Sequence, residues 1–111
     1  SKIIELESGF ESTNVKVTFS SNIPADTKVQ VFLKQQPIGK DGSFDDEQYT
    51  QLVVNKPDYI SPDENTFEDI VYTLPSDLPQ AFSKFAIKVC MYSANPVKIP
   101  QLKEMRVVSV I

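Results

Sequence analysis

The sequence predicts an all-β fold, an antiparallel two-sheet β-sandwich of about seven strands. Three observations predict it. Apolar residues recur with a period of two in separate stretches. The most regular runs over 85–92, where Phe85, Ile87, Val89 and Met91 alternate with Ala86, Lys88, Cys90 and Tyr92. Clusters of Pro, Gly, Asn and Asp divide these stretches, as turns divide short strands. No segment of useful length carries the 3.6-residue apolar period of a helix.

The elements follow in order. Residues 3–7 read as a first strand, with Gly9 as a turn or bulge. Residues 14–20 alternate Val15, Val17 and Phe19 against Lys16 and Thr18. The cluster 21–26 is turn chemistry: Pro24 fixes φ and Asp26 can bond nearby backbone. In 28–34, Val29, Val31 and Leu33 form one face and Gln30 and Phe32 the other, so Phe32 implies partial burial on that second face. A loop over 35–46 holds Asp41-Gly42, the clearest tight-turn signal. Residues 49–54 read as one strand, with Leu52 and Val54 on one side. A second loop follows over 55–65. In 66–74, Glu68, Ile70, Tyr72 and Leu74 look inward. A Pro-containing connector leads to the long strand from Phe85. Pro96 and Pro100 bracket a crossing, and 105–111 close the chain. The apolar terminal segments 3–6 and 107–111 are candidates to pair with each other. Jelly-roll and immunoglobulin-like topologies both satisfy the pattern, although the Trp and paired Cys of antibody domains are missing.

The chain has 111 residues, 41% of them hydrophobic and 23% charged. That suits a single β-sandwich domain over 1–111, with a core large enough to need no disulfide or metal. Cys90 has no partner for an intramolecular disulfide. The start at Ser1, without Met, suggests a domain excised from a longer chain. A net charge of −4 argues against nucleic acid as a partner, since phosphate binding wants a basic stripe. No apolar run approaches the roughly 18 residues of a membrane helix, so membrane insertion is not expected.

Histidine is absent, which removes the commonest general base and the commonest zinc ligand. Without a base, Cys90 reads as a small, half-buried apolar residue and not a nucleophile. The chain is therefore expected to be non-enzymatic, with no cofactor. Two acidic clusters remain. Asp41, Asp45 and Asp46 in the first loop are candidate calcium ligands, because calcium takes six to eight oxygens. Their spacing is not that of an EF-hand, and a solvated acidic loop accounts for them as well. In the second loop, Tyr59, Asp58 and Asp63 are candidate ligand-binding residues. A loop tyrosine beside acids suits a sugar face, whereas packing is the commoner use of an aromatic ring. Glu68 and Asp69 point to opposite sides of one strand and cannot share a site. Arg106, the only arginine, suits a structural fork onto a carboxylate or carbonyls that holds the crossing in place.

One further set of residues points to a family. Phe85, Ile87 and Lys88 run into Ser93 and Asn95, then a loop through Ile99-Pro100, then Arg106 followed by small apolar residues. This resembles β-sandwich modules of tailed-bacteriophage virion structural proteins of the baseplate and tail. The resemblance spans about residues 24–110, and its motifs are short. Met105 departs from it where Leu is usual, and Val108 and Ser109 stand in place of the usual small residues. It implies a structural or interaction module of a virion, assembled in the host cytoplasm. Its partners would be other virion proteins or another domain of the same chain. The alternative is a carbohydrate-binding module contacting a cell-surface glycan.

Overall fold

The computed structural model describes residues 2–5, 14–37, 47–75, 82–94 and 97–110. They form eight strands: β1 (Lys2–Glu5), β2 (Asn14–Asn22), β3 (Thr27–Pro37), β4 (Tyr49–Gln51), β5 (Val53–Val54), β6 (Glu68–Thr73), β7 (Phe82–Ser93) and β8 (Gln101–Val110). One sheet has the order β1-β7-β3-β4 and the other β5-β6-β2-β8. Every pairing is antiparallel. The two sheets stack as the sandwich that the sequence predicts.

The core is built by alternation. β2 turns Val15, Val17 and Phe19 inward, and β3 adds Val31 and Leu33. β6 adds Ile70 and Tyr72, and β7 adds Phe85 and Ile87; all nine are buried. Fully burying such a side chain is worth about 1.5–3 kcal/mol. Phe19 meets Tyr72 edge to face across the β2–β6 pair, with centroids 6.3 Å apart. Phe82 and Phe85 meet in the same way at 5.9 Å. Edge-to-face contacts suit the ring quadrupole and add about 0.5–1.5 kcal/mol each.

The sequence counts one strand over 49–54 where the fold has two. Tyr49–Gln51 pairs with β3, whereas Val53 and Val54 pair with Thr73 and Tyr72 of β6. Leu52 is the pivot. Its side chain is buried and its N–H donates to the Val31 carbonyl at 2.8 Å. Asn55 then fixes the new direction. Its N–H donates to the Val71 carbonyl, and its Oδ1 accepts from the Val71 N–H, each at 3.0 Å. An unbroken period of two hides such a change of sheet, because alternation continues through it.

The expected pairing of the chain ends is corrected. β1 lies against β7 in one sheet and β8 against β2 in the other, so these two strands do not pair with each other. The six strands between them follow immunoglobulin-like order, with β5-β6-β2 facing β7-β3-β4. The terminal strands have exchanged places. The last strand flanks β2, where an immunoglobulin domain puts its first, and the first flanks β7.

β8 carries an irregularity that its sequence requires. Thr18 pairs with Arg106 but Ser20 pairs with Lys103, so β8 has one extra residue there. Leu102 and Val107 both pack toward the core. They are five positions apart, which in a regular strand would put them on opposite faces. The bulge restores the parity, and Glu104 takes up the strain at φ 54°. Glu104→Gly is therefore expected to hold or raise stability, because glycine carries no steric penalty there. Glu104→Val is expected to cost about 1–3 kcal/mol. Urea unfolding midpoints of the two variants check this.

Candidate functional site

One end of the sandwich is built by side-chain clamps. Asn22, at the end of β2, is buried, and its amide donates to the carbonyls of Asp63 and Thr66 at 2.7 and 2.8 Å. Ile23 and Ser61 bond reciprocally. The Ser61 N–H donates to the Ile23 carbonyl at 2.8 Å, and the Ile23 N–H donates to Ser61 Oγ at 2.9 Å. A loop would otherwise leave these buried backbone groups unpaired. The turn after them closes with Thr27 donating to the Pro24 carbonyl from both its N–H and its hydroxyl. Asp26 holds φ 64° in that turn, a conformation aspartate tolerates better than most residues.

These clamps frame a concavity of about 470 Å³. Pro24, Ala25, Pro62, Val97 and Ile99 give it apolar walls, and Asp63, Glu64 and Lys98 give it charge. Val97 is 87% exposed and Ile99 60% exposed. Ser93 donates from its hydroxyl to the Lys98 carbonyl, tying this crossing to the end of β7. Sequence reasoning missed Val97 and Ile99 as surface features. The signal was two apolar residues between Pro96 and Pro100, in a stretch with no strand period.

Among the described residues, Asp63 and Tyr59, both singled out from the sequence, do not converge on one site. Asp63 lines the concavity, but one of its oxygens serves its own loop: Oδ1 accepts from the Asn65 N–H at 2.8 Å and the Thr66 hydroxyl at 2.9 Å. Those hydrogen bonds, the Thr66 hydroxyl first, hold its carboxyl below the ordinary value of 3.8. Asp58 is exposed in the 57–58 turn. Tyr59 is half-buried and packs against the core, and its hydroxyl accepts from Ser61 at 3.2 Å. Tyr59 lines a different concavity, a groove of about 260 Å³ at the side of the sandwich. Asp41, Asp45 and Asp46 lie outside the described residues. Among the described residues, no three of His, Cys, Asp and Glu gather in a way that could hold a metal ion.

Other charged and aromatic candidates are engaged within the fold. Arg106 Nη2 meets Asp69 Oδ1 at 2.9 Å on the outer face of the second sheet. Both side chains are exposed there, so the pair contributes at most about 1 kcal/mol. Lys56 pairs with Glu68 at the strand end. The Tyr49 ring lies under the ammonium groups of Lys88 at 4.4 Å and Lys34 at 5.1 Å. Lys88 also covers Phe32 at 5.2 Å, which gives that residue its half-burial on the second face. Burial pushes the Tyr72 hydroxyl up to about 12, so it stays a neutral phenol at ordinary pH. Cys90 is half-buried, as its sequence context implies.

The chain matches no family model, no curated protein and no solved structure. No helix among the described residues is long and apolar enough to cross a membrane.

Two outcomes test the clamps. Asn22→Ala leaves two carbonyls of the 63–66 loop without their buried donor, so urea unfolding is expected to show a loss of about 1–3 kcal/mol. Asp63 has a depressed carboxyl, so its contribution is present above its unfolded value and lost as pH falls through the folded one. The stability gap between the wild type and Asp63→Ala is accordingly expected to be widest near neutrality. It should close as pH drops below 3.8, in unfolding curves recorded across that range.

Proposed function

We propose that this chain is a non-enzymatic interaction module of a bacteriophage virion protein of the tail or baseplate, acting by surface packing. The observation that carries the reading is the end of the sandwich where Val97 and Ile99 stand exposed beside Pro24 and Pro62. Exposed apolar groups on a rigidly clamped end suit burial against a neighbouring protein. The sequence resemblance over about residues 24–110 supplies the setting, with other virion proteins or another domain of the same chain as neighbours. Localisation in the virion belongs to the same proposal.

The carbohydrate-binding alternative has less support. Its best platform, Tyr59, packs against the core, and Tyr49 is capped by lysines. Among the described residues, no aromatic ring lines the concavity that holds Asp63. Calcium assistance through Asp41, Asp45 and Asp46 remains part of that alternative.

The test is the double substitution Val97→Asp with Ile99→Asp in the phage gene. Expected is a large fall in assembled, infective particles, with the isolated domain's unfolding changed by no more than about 0.5 kcal/mol. Normal particle yield overturns the assignment of this end. A glycan array run with calcium and with chelator addresses the alternative, and saturable binding there replaces the packing reading.

A further inference from the structure

β3 is bordered unequally on its two flanks. β7 pairs with it along its whole length, from Thr27↔Ser93 to Pro37↔Phe82. β4 pairs only with Phe32, Leu33 and Lys34. One hydrogen bond extends that ladder, from the Leu52 N–H to the Val31 carbonyl, and then the chain departs for the other sheet. Continued pairing would bring Val54 opposite Val29, but Val54 pairs with Tyr72 instead.

Two hydrogen bonds fix the direction of the backbone polar groups along the first part of this strand. In an antiparallel ladder the N–H and C=O of one residue point to the same neighbour, and successive residues alternate. The Asp26 carbonyl accepts from the Ala94 N–H at 3.0 Å, so the even positions of β3 face β7. The Val31 carbonyl accepts from Leu52, so the odd positions face the β4 flank. Val29 is odd. Its N–H and C=O therefore face the flank that β4 has left, where no strand among the described residues pairs with it.

The side groove of about 260 Å³ opens along this flank. Val29, Val54, Tyr59 and Tyr72 line it, together with Lys28 and Lys56, and among the described residues no carboxylate does. Lys56 is engaged with Glu68, which among the described residues leaves the exposed Lys28 as the charge presented beside the groove.

We propose that this groove takes an extended segment of a partner polypeptide, added as a strand beside Val29. A backbone donor and acceptor on one residue are matched best by another backbone in extended form. The residue opposite Val29 shares its face, so an apolar side chain there enters the groove. The residues on either side of it face outward with Lys28 and Gln30. The partner segment is thus an apolar residue with an acidic one beside it, opposite Lys28. This deepens the interaction-module reading by naming the partner's chemistry. A failed peptide titration removes the groove alone, because the particle test on Val97 and Ile99 stands apart from it.

The experiment is an amide NMR titration with an acetylated, amidated peptide of sequence threonine–glutamate–valine–glutamate–threonine. Expected is a saturable shift of the Val29 amide and slowed hydrogen exchange at that position. N-methylation of the peptide's valine removes its backbone donor and is expected to weaken binding about tenfold. Val29→Pro is expected to do the same, since proline is accepted where an edge N–H faces solvent. Lys28→Glu is expected to reverse the preference, toward a peptide with lysines in place of glutamates. A Val29 amide unmoved at millimolar peptide overturns the proposal, as does equal affinity for the N-methylated peptide. Val29 shifts that depend on protein concentration without peptide assign the groove to a second copy and overturn the partner assignment.

Discussion

The pairing of β3 with β7 is the constraint on which the rest of the molecule depends. It is the longest ladder, and it joins segments far apart in sequence: 58 positions separate Val31 from its partner Val89. Bringing such segments together costs loop-closure entropy before any contact offsets it. The compensation comes from the inner face, where Val31, Leu33, Phe85 and Ile87 are buried together. Once formed, the ladder positions everything else in its sheet. β1 adds to the free flank of β7, and β4 adds to part of the free flank of β3.

The second sheet depends on β2 in the same way, with β6 on one side and β8 on the other. Its two neighbours are secured differently. β6 is held by buried pairs such as Val17 with Tyr72 and Phe19 with Ile70. Among its described side chains, β8 packs the half-buried apolar residues Leu102 and Val107 toward the core, and it needs a bulge to aim both inward. Its outer side is charged, with Lys103 over the Phe67 ring at 4.0 Å and Arg106 on Asp69. A last strand of that kind is attached through β2 and contributes less to the core than the strands it joins.

Much of the fold was legible because period-two alternation reports burial directly. Val15, Val17 and Phe19 of β2, Val31 and Leu33 of β3 and Ile70 and Tyr72 of β6 are buried as that pattern predicts, whereas Val29 and Glu68 are half-buried. What was not legible was anything that alternation leaves unchanged. The transfer of the chain between sheets at Leu52 keeps the same parity on both sides. The placing of β1 and β8 depends on which flanks are free, and local pattern carries no information about that. The site was less legible still. Tyr59 looked available because it lies in a loop, but the Ser61–Ile23 clamp draws that loop against the core. Asp63 looked like a ligand, yet one of its oxygens closes its own turn. Polar loop residues that hold the loop cannot be told from polar loop residues that bind until their partners are known.

The open flank of β3 follows from the same geometry. An unpaired strand edge invites pairing with any other chain, and proteins that leave one exposed usually shorten it or guard it with lysine and proline. Here the vacated stretch is short, and Lys28, Lys56 and Pro57 stand beside it. Those guards make indiscriminate sheet extension unfavourable, since a long apolar strand would meet charge and a ring without an N–H. They do not obstruct a short segment that carries its own negative charge beside one apolar residue. The devices that keep the edge from aggregating are thus also the ones that would select its partner, and both arise because the chain leaves the first sheet at Leu52.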